Sequence, residues 1–246
     1  MKRRWTGAAA VAVSALAFWY LVSREDWWAA ALTRLFPTMP VVVFPTATLA
    51  ELVGQHLQIV LLSSALTVAV GIPLGIWVTR ASGHDFREIV AATADFAQTF
   101  PPIAVLALML PLLGFGAAPA VVALSLYGLF PVVSGTVAGL EAVPADVLDA
   151  ARGMGMGRWQ VLFRVELPLA ARVIMGGVRT SVIINIGTAT VAAAAGAGGL
   201  GSPIISGINT QNSALLLEGA AAAGMLAILA DAMLGRVEAL LAPREQ

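Results

Sequence analysis

The chain has 246 residues, 59% of them hydrophobic and 11% charged, with a mean hydropathy of +0.88. A soluble domain carries about 25% charged and about 45–50% apolar residues, so a water-soluble enzyme is set aside in favour of a polytopic helical membrane protein. The absence of cysteine excludes disulfides, thiolate metal sites and Cys nucleophiles, and the 14 basic residues balancing 14 acidic ones give no net charge to draw nucleic acid.

Apolar runs predict six spans, at roughly 5–23, 57–79, 89–113, 119–140, 172–195 and 214–240, each able to cross a hydrocarbon core of about 30 Å at about 1.5 Å per residue. The first follows Met1-Lys2-Arg3-Arg4 and ends in the bulky run Phe18-Trp19-Tyr20-Leu21-Val22, where a signal-peptide cleavage site needs small residues; it reads as an uncleaved anchor. Trp5 at one end and Trp19, Tyr20, Trp27 and Trp28 at the other suit interfacial aromatic belts. Segment 24–56 is broken by Pro37, Pro40 and Pro45 and reads as an amphipathic stretch lying on the surface. With the amino terminus inside, Lys2, Arg3, Arg4, Arg80, Arg87, Arg152, Arg158, Arg164, Arg172, Arg236 and Arg244 fall inside, Arg24 and Arg34 fall outside, and Arg179 lies within the fifth span. That bias places both termini in the cytoplasm by the positive-inside rule. Gly114–Ala118 becomes a tight outer turn, and 141–171 becomes the longest inner stretch. The chain divides into an anchor helix with its outer segment, 1–54, and a membrane domain, 55–246.

The inner stretch has its own punctuation. Pro144 suits the first turn of a helix, Asp146 and Asp149 complement the dipole at its start, and Gly153, Gly155 and Gly157 stop it in a sharp bend. A second helical stretch is expected from Arg158 to about Val165, with Pro168 marking the turn back into the membrane. Small Ala150 and Ala151 on the first helix permit close approach of another backbone, and exposed Met154, Met156, Trp159 and Phe163 would supply apolar contact area. The plainer alternative is a solvated connection between spans; three glycines and a tryptophan favour a docking element.

Asp149-Ala150-Ala151, Gly155, Val165, Leu167 and Pro168 carry a family resemblance. Their spacing resembles the EAA loop of ABC-importer permeases, with Asp at 149 where the pattern has Glu and Val at 165 where it has Ile. The likeness extends over roughly 55–240. His56-Leu57-Gln58, Gly71-Ile72-Pro73-Leu74-Gly75, Gln98-Thr99-Phe100-Pro101-Pro102, Tyr127-Gly128-Leu129-Phe130-Pro131, Ala151-Arg152-Gly153-Met154-Gly155-Met156 and Gly196-Ala197-Gly198-Gly199-Leu200-Gly201 are similar to the osmoprotectant branch of these permeases. Phe100 departs from that branch, which has an aliphatic residue there, and residues 1–54 add a span to its five-helix core.

The resemblance implies an all-α type I importer permease in a bacterial inner membrane, importing glycine betaine, choline, carnitine or a related solute by alternating access. Another small zwitterion such as methionine is the alternative within the family. The implied partners are ATP-binding cassette ATPase subunits, a second permease subunit, identical or different, an extracytoplasmic solute-binding protein and membrane lipid. Asp149, Ala150, Ala151, Gly155, Met156, Trp159, Leu167 and Pro168 are then the ATPase-docking residues. The chain itself is expected to hold no cofactor, catalytic residue or metal; ATP and Mg would be bound by the partner ATPase.

Gly196, Gly198 and Gly201 also spell G-x-G-x-x-G, with Glu218 further on. A dinucleotide site needs a strand before that motif and a helix after it, whereas an apolar helix precedes it here. Gly196, Gly198, Gly199 and Gly201 instead suggest an outer gate or a binding-protein contact, or a plain re-entrant turn. Lys2 is the only lysine, so no Walker A motif is possible. Gly71/Gly75 and Gly135/Gly139 favour close helix crossing, within one subunit or at a dimer seam. Polar groups at membrane depth nominate Asn185 and Thr188, then Gln98 and Thr99, as pathway-lining residues, with an interhelical hydrogen bond the alternative for Asn185. Asp231 is expected to pair with Arg236. His56 and His84 are placed at opposite interfaces, too far apart for a metal site. Two competitors remain open: an ion-coupled secondary transporter, disfavoured by few apparent mid-span carboxylates, and a purely structural anchor, which leaves Asn185 and Gln98 unexplained.

Overall fold

The computed structural model describes residues 2–241, without the side chains of 2–8, 10 and 97, so Arg244 and the side chains of Lys2, Arg3, Arg4 and Trp5 lie outside the described residues. Every regular element described is helical. Helix α1 (Lys2–Val22) and the short α2 (Glu25–Leu35) come first, then α3 (Leu49–Val78), α4 (Arg87–Thr99), α5 (Pro102–Leu113) and α6 (Ala117–Glu141). After them come α7 (Ala145–Gly153), α8 (Arg158–Val161), α9 (Leu167–Thr188), α10 (Gly201–Asn209) and α11 (Ser213–Leu241). Length and hydropathy qualify Leu49–Val78, Ala117–Glu141, Arg158–Thr188 and Ser213–Leu241 as membrane spans, with shorter apolar helices at Val11–Val22 and Pro102–Leu113.

The structure departs from the expected spans in four places, each with a local cause. Helix α3 starts eight residues before the expected 57, because Thr48 and Glu51 form a capping box: Glu51 N–H donates to Thr48 Oγ1 at 3.2 Å and Thr48 N–H donates to Glu51 Oε2 at 2.9 Å. The span expected over 89–113 is two helices, broken at Phe100–Pro101, because the residue before proline is pushed into extended backbone. Pro168 makes no turn. The chain runs helically from Arg158 to Thr188 through a π-type turn at Leu162–Glu166, where Leu167 N–H reaches back to the Leu162 carbonyl. That wider turn absorbs a proline that an unbroken α-helix would reject. The fifth span ends at Thr188 instead of 195, because the chain tightens there into a 3-10 turn, Val191–Ala195, that stops at left-handed Gly196; α10 follows, which hydropathy alone does not reveal.

Helices α3, α6 and α9 form the centre, with α11 against α9, α1 and α10 against α11, and α4 and α5 along α6. The close crossings run along glycine. A Cβ on Gly71 or Gly75 would meet Val132 or Thr136 of α6 at 2.8 and 2.6 Å, and one on Gly135 would meet the Gly177 Cα of α9 at 2.9 Å. Both glycine pairs thus pack within this subunit. Leu49, Leu52, Val53, Ile186, Ala222 and Leu226 centre one apolar cluster, joined by Phe18 and Val22 of α1. A smaller cluster of Leu140, Val143, Leu162, Ala170 and Ile174 lies at the end that carries α7 and α8, called here the loop end.

Candidate functional site

At the loop end, α7 and α8 form an elbow. Helix α7 closes in a Schellman turn: Met156 N–H donates to the Ala151 carbonyl at 3.2 Å and Gly155 N–H to the Arg152 carbonyl at 2.9 Å. Gly155 sits at φ +82°, the left-handed conformation this turn requires, while Gly153 is helical and Gly157 extended. Gly157 N–H then donates to Gln160 Oε1 at 2.9 Å and starts α8. The elbow is fastened to the bundle. Arg80, just beyond α3, forks onto buried Glu166, with nitrogen–oxygen distances of 3.0 and 2.8 Å. Arg87 of α4 donates to Glu141 of α6 at 2.8 Å.

The outer side of the elbow is apolar. Met154 is 73% exposed and Trp159 70%, and the Trp159 ring stacks on Phe163 with centroids 6.0 Å apart. Asp149, Ala150 and Gly155 are exposed beside them. Ala151, expected at the surface, is buried on the inward face of α7, and Met156 is half-buried, because the Schellman turn brings its N–H back onto the Ala151 carbonyl. Leu167 packs into the loop-end cluster, and Pro168 lies in the first turn of α9.

Asn185 is fully buried, its Nδ2 donating to Ser63 and Ser64 hydroxyls at 3.4 and 3.3 Å across the α3–α9 seam. Thr67 and Ser125 continue that network: Thr67 Oγ1 donates to the Ser125 carbonyl at 3.1 Å, and Ser125 Oγ donates to the Ser63 carbonyl at 3.2 Å. Gln98 and Thr188 instead lie beside Tyr127, while Thr99 is exposed and donates to the Phe96 carbonyl at 2.7 Å. Gln98 donates to the Tyr127 carbonyl at 2.9 Å, and the Tyr127 hydroxyl returns a hydrogen bond to Phe100, caring for a carbonyl freed by the helix break. Thr188 and Tyr127 line one small cleft with Pro102 and Leu106. A larger cleft of about 240 Å³ lies between α4 and α6, lined by Val90, Ala94, Phe130 and Ser134 and by the Arg87–Glu141 pair.

At the opposite end, Gly196, Gly198 and Gly199 have positive φ. Gly199 N–H donates to Gln55 at 2.9 Å, Gly116 N–H donates to the Ala195 carbonyl at 2.8 Å, and Gly201 abuts the Thr190 backbone. The glycine loop is therefore tied to both neighbouring segments. His56, expected at an interface, is buried beneath it, with Nε2 3.0 Å from the Ile186 carbonyl; His84 is exposed.

Charges within the spans were the least legible. Asp231 pairs with Arg179, not Arg236: two 2.8 Å bonds join Arg179 and Asp231, and Glu238 adds a third at 3.0 Å. Residues 231 and 236 are five apart and point to different sides of α11, whereas α9 supplies Arg179 directly opposite. Gly235 makes room for it, since a Cβ there would lie 3.0 Å from the guanidinium. Two further carboxylates add to the sparse inventory read from sequence. Glu218 is buried in α11 and accepts the Phe44 N–H at 2.8 Å, while Asp95 is exposed on α4. Glu218 could be suspected from sequence, because it interrupts an apolar run as Asp231 does. Among the described residues no His, Asp and Glu cluster could hold a metal.

Residues 71–246 match the family of binding-protein-dependent transport system inner membrane components. The osmoprotectant import permease OsmW of Salmonella typhimurium strain LT2 is 41% identical over 202 residues, covering 80% of this chain and 93% of its own. The glycine betaine/carnitine/choline transport system permease OpuCB of Bacillus subtilis strain 168 is 38% identical over 191 residues, covering 78% and 87%. In three dimensions the chain is similar to one from the MetNI methionine ABC transporter in inward-facing conformations, with a TM-score of 0.70 and 22% identity over 78% of this chain and 94% of that one; this likeness shows the fold alone. The chain therefore belongs to the inner membrane components of binding-protein-dependent transport systems.

Proposed function

We propose that this chain is the permease subunit of an ATP-driven importer for a trimethylammonium solute such as glycine betaine, choline or carnitine. The observation that carries the reading is the α7–α8 elbow: an apolar surface on a turn that one left-handed glycine shapes and one half-buried ion pair fastens to the bundle. An exposed apolar patch of this kind marks a protein contact. The partner is an ATP-binding cassette ATPase, because a chain whose only lysine is Lys2 has no Walker A motif of its own. The osmoprotectant permease of Salmonella and the glycine betaine/carnitine/choline permease of Bacillus, to which the chain is similar, support the solute class.

In this reading the loop end is cytoplasmic, as the basic residues Arg80, Arg87, Arg152, Arg158 and Arg164 gathered there favour. ATP binding draws the ATPase pair together, and each ATPase moves an elbow. The ties from Glu166 to Arg80 and from Glu141 to Arg87 pass that motion to α3 and α4 as rigid levers. A second permease subunit completes the pathway, and a solute-binding protein delivers its cargo near the tied glycine loop at the far end. The test is reconstitution with the ATPase and binding protein. ATP-dependent uptake of radiolabelled glycine betaine or choline is expected; uptake that persists without ATP, or an ATPase that fails to copurify, would overturn the reading.

A further inference from the structure

The break between α4 and α5 holds a set of groups that the elbow mechanism leaves unused. Helix α4 lies along α6, tied near one end by Arg87 to Glu141 and at the other by Gln98 to Tyr127. From Glu141 to Tyr127 is about 21 Å along α6, and from Arg87 to Asp95 is about 12 Å along α4, at about 1.5 Å per residue. Asp95 therefore lies between the two ties, alongside a membrane-spanning helix. Ala94 is buried against the bundle, and the next residue projects about 100° further round the helix. Asp95 is accordingly exposed, and it has no ion pair or hydrogen bond among the described residues. A carboxylate at that depth does not face lipid; it faces a water-filled path or a charged cargo.

The neighbours of Asp95 complete a surface suited to one kind of cation. Thr99 lies one turn on from Asp95, and Phe100 one turn on from Phe96, so the four side chains form a contiguous patch on the last turn of α4. Phe96 is 60% exposed and Phe100 41%, and their rings meet edge to face at 5.0 Å. Pro101 and Pro102 have no N–H to return to the carbonyls of Ala97 and Gln98. Those oxygens add to the negative end of the α4 dipole. A trimethylammonium group has no N–H to donate and is attracted by negative potential and aromatic faces.

We propose that the last turn of α4, which brings together Asp95, Phe96, Thr99, Phe100 and the carbonyls of Ala97 and Gln98 to which Pro101 and Pro102 offer no N–H, is a transit site for the trimethylammonium head of the solute. The inference rests on the function proposed above and adds where in this chain the cargo is read. It gives Phe100 a purpose that an aliphatic side chain would not serve, because only an aromatic ring offers a π face to the cation.

The chain contains no cysteine, so Thr99→Cys introduces a single thiol at the site. The complete importer carrying this variant is reconstituted in vesicles of phosphatidylethanolamine and phosphatidylglycerol, whose headgroups carry no trimethylammonium. It is then reacted with trimethylammonium-ethyl methanethiosulfonate. Labelling is expected, and glycine betaine or choline at about 2–9 times its dissociation constant should slow it by about 3–10-fold, the factor 1 + [L]/Kd by which an occupied site is protected. Leu112→Cys, on the exposed apolar side of α5, should stay unlabelled. Asp95→Asn should reduce uptake of choline, a net cation, more than that of zwitterionic betaine, and Phe96→Leu with Phe100→Leu should reduce both. If Thr99→Cys is inert or unprotected while the wild type imports either solute, the site is wrong and the proposed function stands. If the wild-type importer moves no trimethylammonium solute, both fall.

Discussion

Replacing the three glycines of the elbow one at a time separates conformation from crowding. A Cβ on Gly153 or Gly155 would meet nothing within 4 Å, and one on Gly157 would meet only Gln160 Oε1 at 3.7 Å, so none of the three alanines is sterically opposed. Only Gly155 has positive φ. Gly155→Ala must then bear the left-handed penalty of about 1–2 kcal/mol, which lowers the ratio of ordered to frayed turn by about 5–30-fold. Gly153→Ala should instead strengthen the end of α7, by up to about 0.5–1 kcal/mol. Gly157→Ala should change little, because its φ of −71° suits any residue. Gly155→Asn should recover part of the loss, since Asn is the next most tolerant residue at that position. The assay is solute-stimulated ATPase activity of the reconstituted importer, with limited proteolysis across 150–160 as an independent measure of elbow order. Equal damage from Gly153→Ala and Gly155→Ala, or full coupling by Gly155→Ala, would refute the reasoning.

Three further outcomes follow from the packing. Glu166→Ala should lower stability by about 2 kcal/mol, less than a fully buried pair would lose because the Arg80 side chain is 35% exposed; the thermal midpoint in mild detergent measures it, and removing Arg80 as well should restore part of the loss. Gly177→Ala should destabilise by about 1–3 kcal/mol, because its Cβ runs into the Pro131 carbonyl, whereas Gly176→Ala, inside the same helix with open space beside it, should cost nothing and gain up to about 0.5–1 kcal/mol in the same unfolding measurement. Gly235→Val should displace the Arg179 guanidinium and lower the thermal midpoint, while Gly224→Val, on the same helix with nothing nearby, should leave it in place.

Hydropathy located the long spans because burial in lipid demands continuous apolar sequence. It failed where local chemistry took over. The true start of α3 was written as Thr48-x-x-Glu51, but Glu51, Gln55 and His56 dilute the apolar average that the eye follows. The Pro101-Pro102 pair announced a break, yet apolar residues on its far side made 89–113 read as one span. The π-type turn before Pro168 has no comparable signature, because it is a response of the backbone to the proline rather than a residue choice. At the elbow, the glycine spacing revealed a stop to α7, while the inward roll of Met156 depends on which glycine takes the left-handed conformation. The Arg179–Asp231 pair joins residues far apart in sequence, and nothing local distinguishes it from a pairing along α11. Asp95 was present in the sequence all along; its meaning appears only once Ala94 is seen packed against the bundle and Asp95 turned away from it.

In the proposed mechanism the elbow is the place where an ATPase takes hold. A photo-crosslinking residue at Met154, on the exposed tip of that turn, and another at Phe115, exposed in the connection between α5 and α6, ask this directly in intact membranes containing the whole importer. The ATPase subunit should be captured from position 154 and not from 115. An ATPase captured from 115, or from neither position while solute uptake proceeds, would contradict the account.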